Sequence, residues 1–149
     1  MRLTLHSNYA VRMLMYCALH PEDPVPVSSV AAAYSISEHH LAKIAQTLAR
    51  FGFVETHRGR SGGVSLARRP DHISIGAVLR ATEHEPVAEC FAEDRNTCPI
   101  APECRLRPAL AAAMEAFFGV LDRVTLADLV AEPQGLTALL GIKETADCR

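Results

Sequence analysis

Apolar residues recur at helical spacing along most of this chain and alternate only over one short stretch near its middle. Ala10, Met13, Leu14 and Cys17 stand at i, i+3, i+4 and i+7, so they line one face of a first helix that Ser7 or Asn8 is able to cap. The prolines at 21 and 24 end it. Ser28 or Ser29 caps a short second helix, Val30–Tyr34, and Ser35, Ile36 and Ser37 make a tight link. Ser37 then caps a third helix with Leu41, Ile44, Ala45 and Leu48 on one side and Gly52 as its breaker. Two short helices joined tightly, behind a first packing helix, predict a helix-turn-helix. Phe53–His57 and Val64–Leu66 predict a pair of strands around a turn from Arg58 to Gly63 whose glycines admit a tight hairpin. A hairpin in this place is a wing.

Beyond the wing, Ser74 caps a fourth helix carrying Ile75, Val78, Leu79 and Thr82. An irregular stretch, Glu85–Glu103, follows, and Pro108 then opens a long helix in which Leu110, Met114, Phe117 and Leu121 recur at spacings of 4, 3 and 4. This seam predicts a dimerisation helix. A short helix at Leu126–Val130 and a loose tail end the chain. The expected fold is mainly α with a small β wing. The organisation expected is a winged helix-turn-helix DNA-binding domain over 1–83, a cysteine-rich loop over 84–105, and the dimerisation helix and tail over 106–149.

The 149 residues are 49% hydrophobic and 21% charged, which is the balance of a globular chain of one domain or one domain plus an appendage. No apolar run reaches the roughly 18 to 20 residues of a membrane span. Arg2, His6 and Arg12 occupy the stretch where a secretory leader would need its apolar core, so a cytoplasmic protein with no membrane partner is expected. Charge is segregated. Residues 1–70 hold eight Lys/Arg against four Asp/Glu, and residues 71–149 hold seven against thirteen. A first half of net +4 points to a polyanion as partner. On the third helix Glu38, His39, His40 and Lys43 lie near the N-terminus, where a recognition helix meets base edges. At the wing tip, Arg58, Arg60 and Ser61 suit phosphates or a narrow minor groove. No nucleophile–base pair is legible, and the glycine-rich wing turn lacks the lysine and the strand-to-helix setting of a phosphate-binding loop, so an enzyme is not expected.

Of the five cysteines, Cys17 falls on an apolar helix face and Cys148 in the tail. Cys90, Cys98 and Cys104 share the proline-rich loop. In a reducing compartment such a trio implies metal or redox chemistry rather than disulfides. Three thiolates suit an iron–sulfur cluster. Zinc, which prefers a tight cysteine pair and four ligands, and free thiols stay open on spacing alone.

Taken together these residues resemble the iron–sulfur-cluster winged-helix repressor family, with its RirA, NsrR and IscR branches. The likeness runs through residues 1–4, Asn8–Arg12, Val54–Val64, Ile75–Glu83, the three-cysteine loop and Thr125–Val130. It implies a homodimer that binds a palindromic operator in double-stranded DNA and carries one cluster per subunit on Cys90, Cys98 and Cys104, of four irons in preference to two. It also implies that operator affinity is gated by the cluster. In the nitric-oxide-sensing branch an acidic residue near the start of the first helix completes the ligand set from the partner subunit. Asn8 stands at that position here, and an amide oxygen is a weaker iron ligand than a carboxylate. Arg107 stands where the IscR branch has a ligating histidine. The segment Asn8–Ala18 and the long first cysteine gap resemble the iron-responsive branch, so iron or cluster supply is the expected signal. Nitric oxide is the first alternative, and a zinc-binding or thiol-redox DNA-binding protein is the second.

Overall fold

A computed structural model describes residues 3–59, 62–92 and 95–142. Seven α-helices and one two-stranded sheet occur among them: α1 (Leu5–Ala18), α2 (Val27–Tyr34), α3 (Glu38–Arg50), β1 (Val54–His57), β2 (Gly63–Leu66), α4 (Ile75–Thr82), α5 (Leu106–Leu121), α6 (Leu126–Leu129) and α7 (Pro133–Leu139). The mainly helical fold with a small wing is as expected. Several boundaries differ. Thr4, not Ser7 or Asn8, caps α1: its hydroxyl accepts from the Ser7 backbone N–H at 3.2 Å. Ser7 itself is fully buried within the first turn. The second helix starts at Val27 after Pro26, with no side-chain cap, and α5 starts two residues before Pro108, which is accommodated in its first turn. The tail contains a further helix, α7.

Helix α1 is the centre of the head. Ala10, Met13, Leu14 and Cys17 bury against α3, α4, α6 and β2. Each large aliphatic side chain removed from water here contributes on the order of 1.5–3 kcal/mol. The Cys17 thiol donates to the Val64 carbonyl, and burial pushes its pKa up to about 12, so it remains a neutral packing group. The turn between α2 and α3 is closed by Ser35 in the left-handed region (φ 53°), while the Ile36 N–H returns to the Ala31 carbonyl at 2.9 Å. Gly52 does the same work after α3 at φ 70°, with the Phe53 N–H bonded to the Leu48 carbonyl.

The wing pairs antiparallel in the register Val54↔Leu66, Glu55↔Ser65, Thr56↔Val64 and His57↔Gly63. Val25 bridges Val64 through two 2.8 Å hydrogen bonds, which anchors the hairpin to the start of α2. Gly63 makes this possible, since a Cβ there would run into the Val25 carbonyl and the Pro26 nitrogen, both backbone atoms that cannot swing away. Gly63→Ala is therefore expected to destabilise the protein by about 1–3 kcal/mol in denaturant unfolding; an unchanged midpoint would show that the wing base is looser than its contacts imply.

Helix α5 returns to this head. Phe118, 8% exposed, joins the core, and Met114, Phe117 and Leu121 pack partly against it. Arg80 of α4 pairs with Asp122 and lies over the Phe118 ring at 4.5 Å. Three of the four residues of the expected seam thus turn toward the chain's own core. The face left bare is Leu106, Ala109, Ala113, Ala116 and Val120, with Leu106 63% and Val120 55% exposed. The chain then re-enters the head: the Ile75 N–H bonds to the Val124 carbonyl and the Leu126 N–H to the Ile73 carbonyl. Thr125 and Asp128 form a capping box, and Leu126 is fully buried. No described helix is long and apolar enough to cross a membrane.

Candidate nucleic-acid interface and thiolate loop

The amphipathic pattern of α3 divides it cleanly. Leu41, Ile44, Ala45 and Leu48 are buried, while Glu38, His39, Lys43, Gln46 and Arg50 are exposed. Glu38, His39 and Lys43 therefore stand on the outward side, as the sequence leads one to expect of groups meant for base edges. His40 differs. It is half-buried, edge-on to the Tyr9 ring with centroids 5.4 Å apart and 6.4 Å from the His6 ring. Its place is the seam between α3 and α1. Gln46 and Arg50 extend the outward stripe beyond the helix's first turn, and the same spacing of three and four places them there. Arg58 is exposed beyond β1, at the start of the wing turn, while Arg60 and Ser61 lie outside the described residues.

The three loop cysteines are half-buried and form no disulfide among the described residues. Cys90 sits in a 3₁₀ turn, Glu89–Phe91, and Cys104 directly after another, Ala101–Glu103. Two staples hold their neighbours together. The Glu89 carboxylate accepts from the backbone N–H and, at 2.7 Å, from the hydroxyl of Thr97, tying the residue before Cys90 to the residue before Cys98. These bonds hold the Glu89 carboxyl below the usual carboxylate range. The Arg107 guanidinium lies over the Phe91 ring at 5.8 Å, tying the residue after Cys90 to the first turn of α5. Among the described residues, no three His, Cys, Asp or Glu side chains meet as a single metal ion requires. That is not the preformed tetrahedral set of a structural zinc site. An iron–sulfur cluster is less demanding in this respect, since each thiolate takes a different iron. Three soft thiolates on one stapled loop fit such a group.

Thr4 and Glu83 connect the loop to the reading head. The Glu83 carboxylate, one residue beyond α4 and at the loop's start, accepts from the Thr4 backbone N–H at 2.8 Å and from its hydroxyl at 3.1 Å. It thereby holds the cap of α1. Asn8 lies half-buried in the first turn of α1, its N–H bonded to the Thr4 carbonyl. His6, in the same turn, is held below its ordinary pKa by burial first and by the nearby His40 and His84 next. The carboxylate partner of the Thr4 cap carries no signal in the local sequence, because the two are 79 residues apart. Glu83→Ala is expected to cost about 1–2 kcal/mol, since it strips a charged acceptor from two part-buried donors. Thermal unfolding measures this, and an unaltered Tm counts against the anchor.

An exposed polar recognition helix, an anchored wing and one core joining them to α5 define a winged helix-turn-helix regulator of transcription rather than an enzyme. The chain belongs to the Rrf2 family of iron-dependent transcriptional regulators, whose pattern it matches over residues 3–132. It is 50% identical over 142 residues to the HTH-type transcriptional regulator NsrR of Geobacillus kaustophilus, covering 94% of this chain and 97% of that one. It is 46% identical over 145 residues to a Rhizobium meliloti protein called aau3, covering 97% and 94%. Among solved structures, T. potens IscR superposes with a TM-score of 0.70 at 25% identity, covering 91% of this chain and 90% of that chain.

Proposed function

We propose that this protein is a homodimeric repressor whose affinity for a palindromic operator is gated by an iron–sulfur cluster on Cys90, Cys98 and Cys104. The observation that carries this is the stapled loop: three half-buried thiols between α4 and α5, with hydrogen bonds and a cation–π contact joining the residues beside them. When bound, a cluster of four irons in preference to two would supply an iron site sensitive to iron supply and to nitric oxide. Asn8 is the candidate for a weak fourth ligand. Glu38 and His39 would face base edges and Lys43 a phosphate beside them, with Arg58, Arg60 and Ser61 on the backbone or minor groove. His40, packed on Tyr9, would position α3 rather than read bases.

Two links make the loop felt at the DNA. Glu83 joins its start to the cap of α1, and Tyr9 and His40 join α1 to α3. At the other end, Arg80 and Asp122 join α4 to α5. An ordered loop would thus bias both the reading helix and the helix that sets its partner's position, which is the two-state element that gating requires. The second subunit is expected on the uncharged face Leu106–Ala109–Ala113–Ala116–Val120, because a lone apolar stripe of this kind leaves surface in water that a second copy would cover. The division at 83 and 106 separates the reading head from this dimer element across the loop.

Iron or cluster supply is the leading signal. The nitric-oxide reading stands beside it because several relatives over 94% or more of this chain bear the name NsrR. Anaerobic titration of the dimer with an iron chelator and, separately, with nitric oxide tests both. Visible absorption and operator binding are followed together, and the signal is the agent that removes both at stoichiometric amounts. Colourless, zinc-loaded protein that binds its operator would sink the cluster reading.

A further inference from the structure

We propose that Gln46 is a specificity-determining residue of the recognition helix and reads an adenine in the major groove. The inference rests on the reading of α3 as the helix that enters the groove, and it goes past the first-turn residues assigned to that role. Gln46 is exposed, seven residues beyond His39, which places it about 10 Å further along the helix axis and within roughly 20° of the same line. It lies between two exposed cations, Lys43 and Arg50, three and four residues to either side. Those cations suit phosphates. A base reader set between them suits the groove floor, about three base pairs on from the pair met by His39.

The alternatives along the same stretch are engaged elsewhere. The Thr47 hydroxyl donates to the Lys43 carbonyl at 3.2 Å, so its proton stays within the helix. The Arg50 guanidinium lies over the Phe51 ring at 5.0 Å, at the end of α3. His40 is in contact with Tyr9. Among the described residues the Gln46 amide has no hydrogen-bond partner. It offers one donor and one acceptor side by side. Adenine alone presents the matching pair in the major groove: its N7 accepts from the amide N–H, and its N6 amino group donates to the amide oxygen.

The test uses the full-length protein, purified anaerobically, against a library of randomised duplexes. Gln46→Ala is expected to lower the preference for adenine at one position of each half-site by about tenfold, with the other positions unchanged. Gln46→Glu loses the donor and keeps the acceptor, so its preference should move toward a pair whose cytosine N4 amino group faces the carboxylate. Lys43→Ala serves as the comparison and is expected to weaken all sequences alike and flatten the salt dependence. If Lys43→Ala weakens binding while both Gln46 variants keep the original base preferences, or lose affinity evenly at all positions, this inference is overturned. If none of the three alters binding, α3 is not the reading helix and the broader reading falls with it.

Discussion

Cys98→Ala is expected to give a folded, colourless protein whose operator affinity no longer responds to iron chelation or nitric oxide and sits about 10- to 100-fold below that of the loaded dimer. Folding should survive, because Cys98 lies in a loop, half-buried, and contributes nothing to the core built on α1. Its loss would leave two of the three proposed thiolate ligands, Cys90 and Cys104, too few to retain a cluster that Asn8 would complete only with an amide. The Glu89–Thr97 staple uses the residues before Cys90 and Cys98 and not the Cys98 side chain, so the variant separates the cofactor from the loop's own hydrogen bonds. Anaerobic absorption spectra and gel-shift titration on the same preparation provide the measurement. Undiminished operator binding by the colourless variant would refute gating and leave a constitutive DNA-binding protein.

Val120→Glu is expected to convert the proposed dimer to a folded monomer and to lower operator affinity by at least about a hundredfold. Val120 is 55% exposed in the single chain, so a carboxylate there stays solvated and the fold tolerates it. Across a dimer interface the same charge would be buried without a partner, at a cost of several kcal/mol. The loss in affinity follows from linkage. Two heads on one dimer make the second half-site contact intramolecular, and separation removes that effective concentration. Sedimentation gives the mass and titration gives the affinity. A variant that remains dimeric would locate the interface elsewhere, with the inner seam of Met114, Phe117 and Leu121 already occupied by the head.

The local pattern of this chain determines a great deal. Period 3.6 on Ala10–Cys17 and Leu41–Leu48 dictates helices, because those spacings place the apolar side chains on one side and nothing else does. Gly52 sits where the backbone must turn left-handed and Gly62 where the wing turn closes on its own backbone, and these needs are local as well, whereas Gly63 answers to Val25, which is distant in the chain. The cysteine spacing likewise marks the loop without any reference to the fold.

Choices between locally equivalent options were decided elsewhere. Thr4, Ser7 and Asn8 can all cap a helix. Thr4 does so where Glu83, distant in the chain, holds its N–H and hydroxyl. Helix α5 is apolar on nearly every side, so spacing alone cannot say which side meets the head; the position of α4, with Arg80 over Phe118, turned Met114 and Leu121 inward and left Leu106 and Val120 out. His40 reads as a polar residue beside two others, and only the approach of Tyr9 takes it from the outward face. Helix propensity and turn chemistry act within a few residues, whereas the side that is buried depends on which surface arrives opposite it, and that is set by residues scores of positions away.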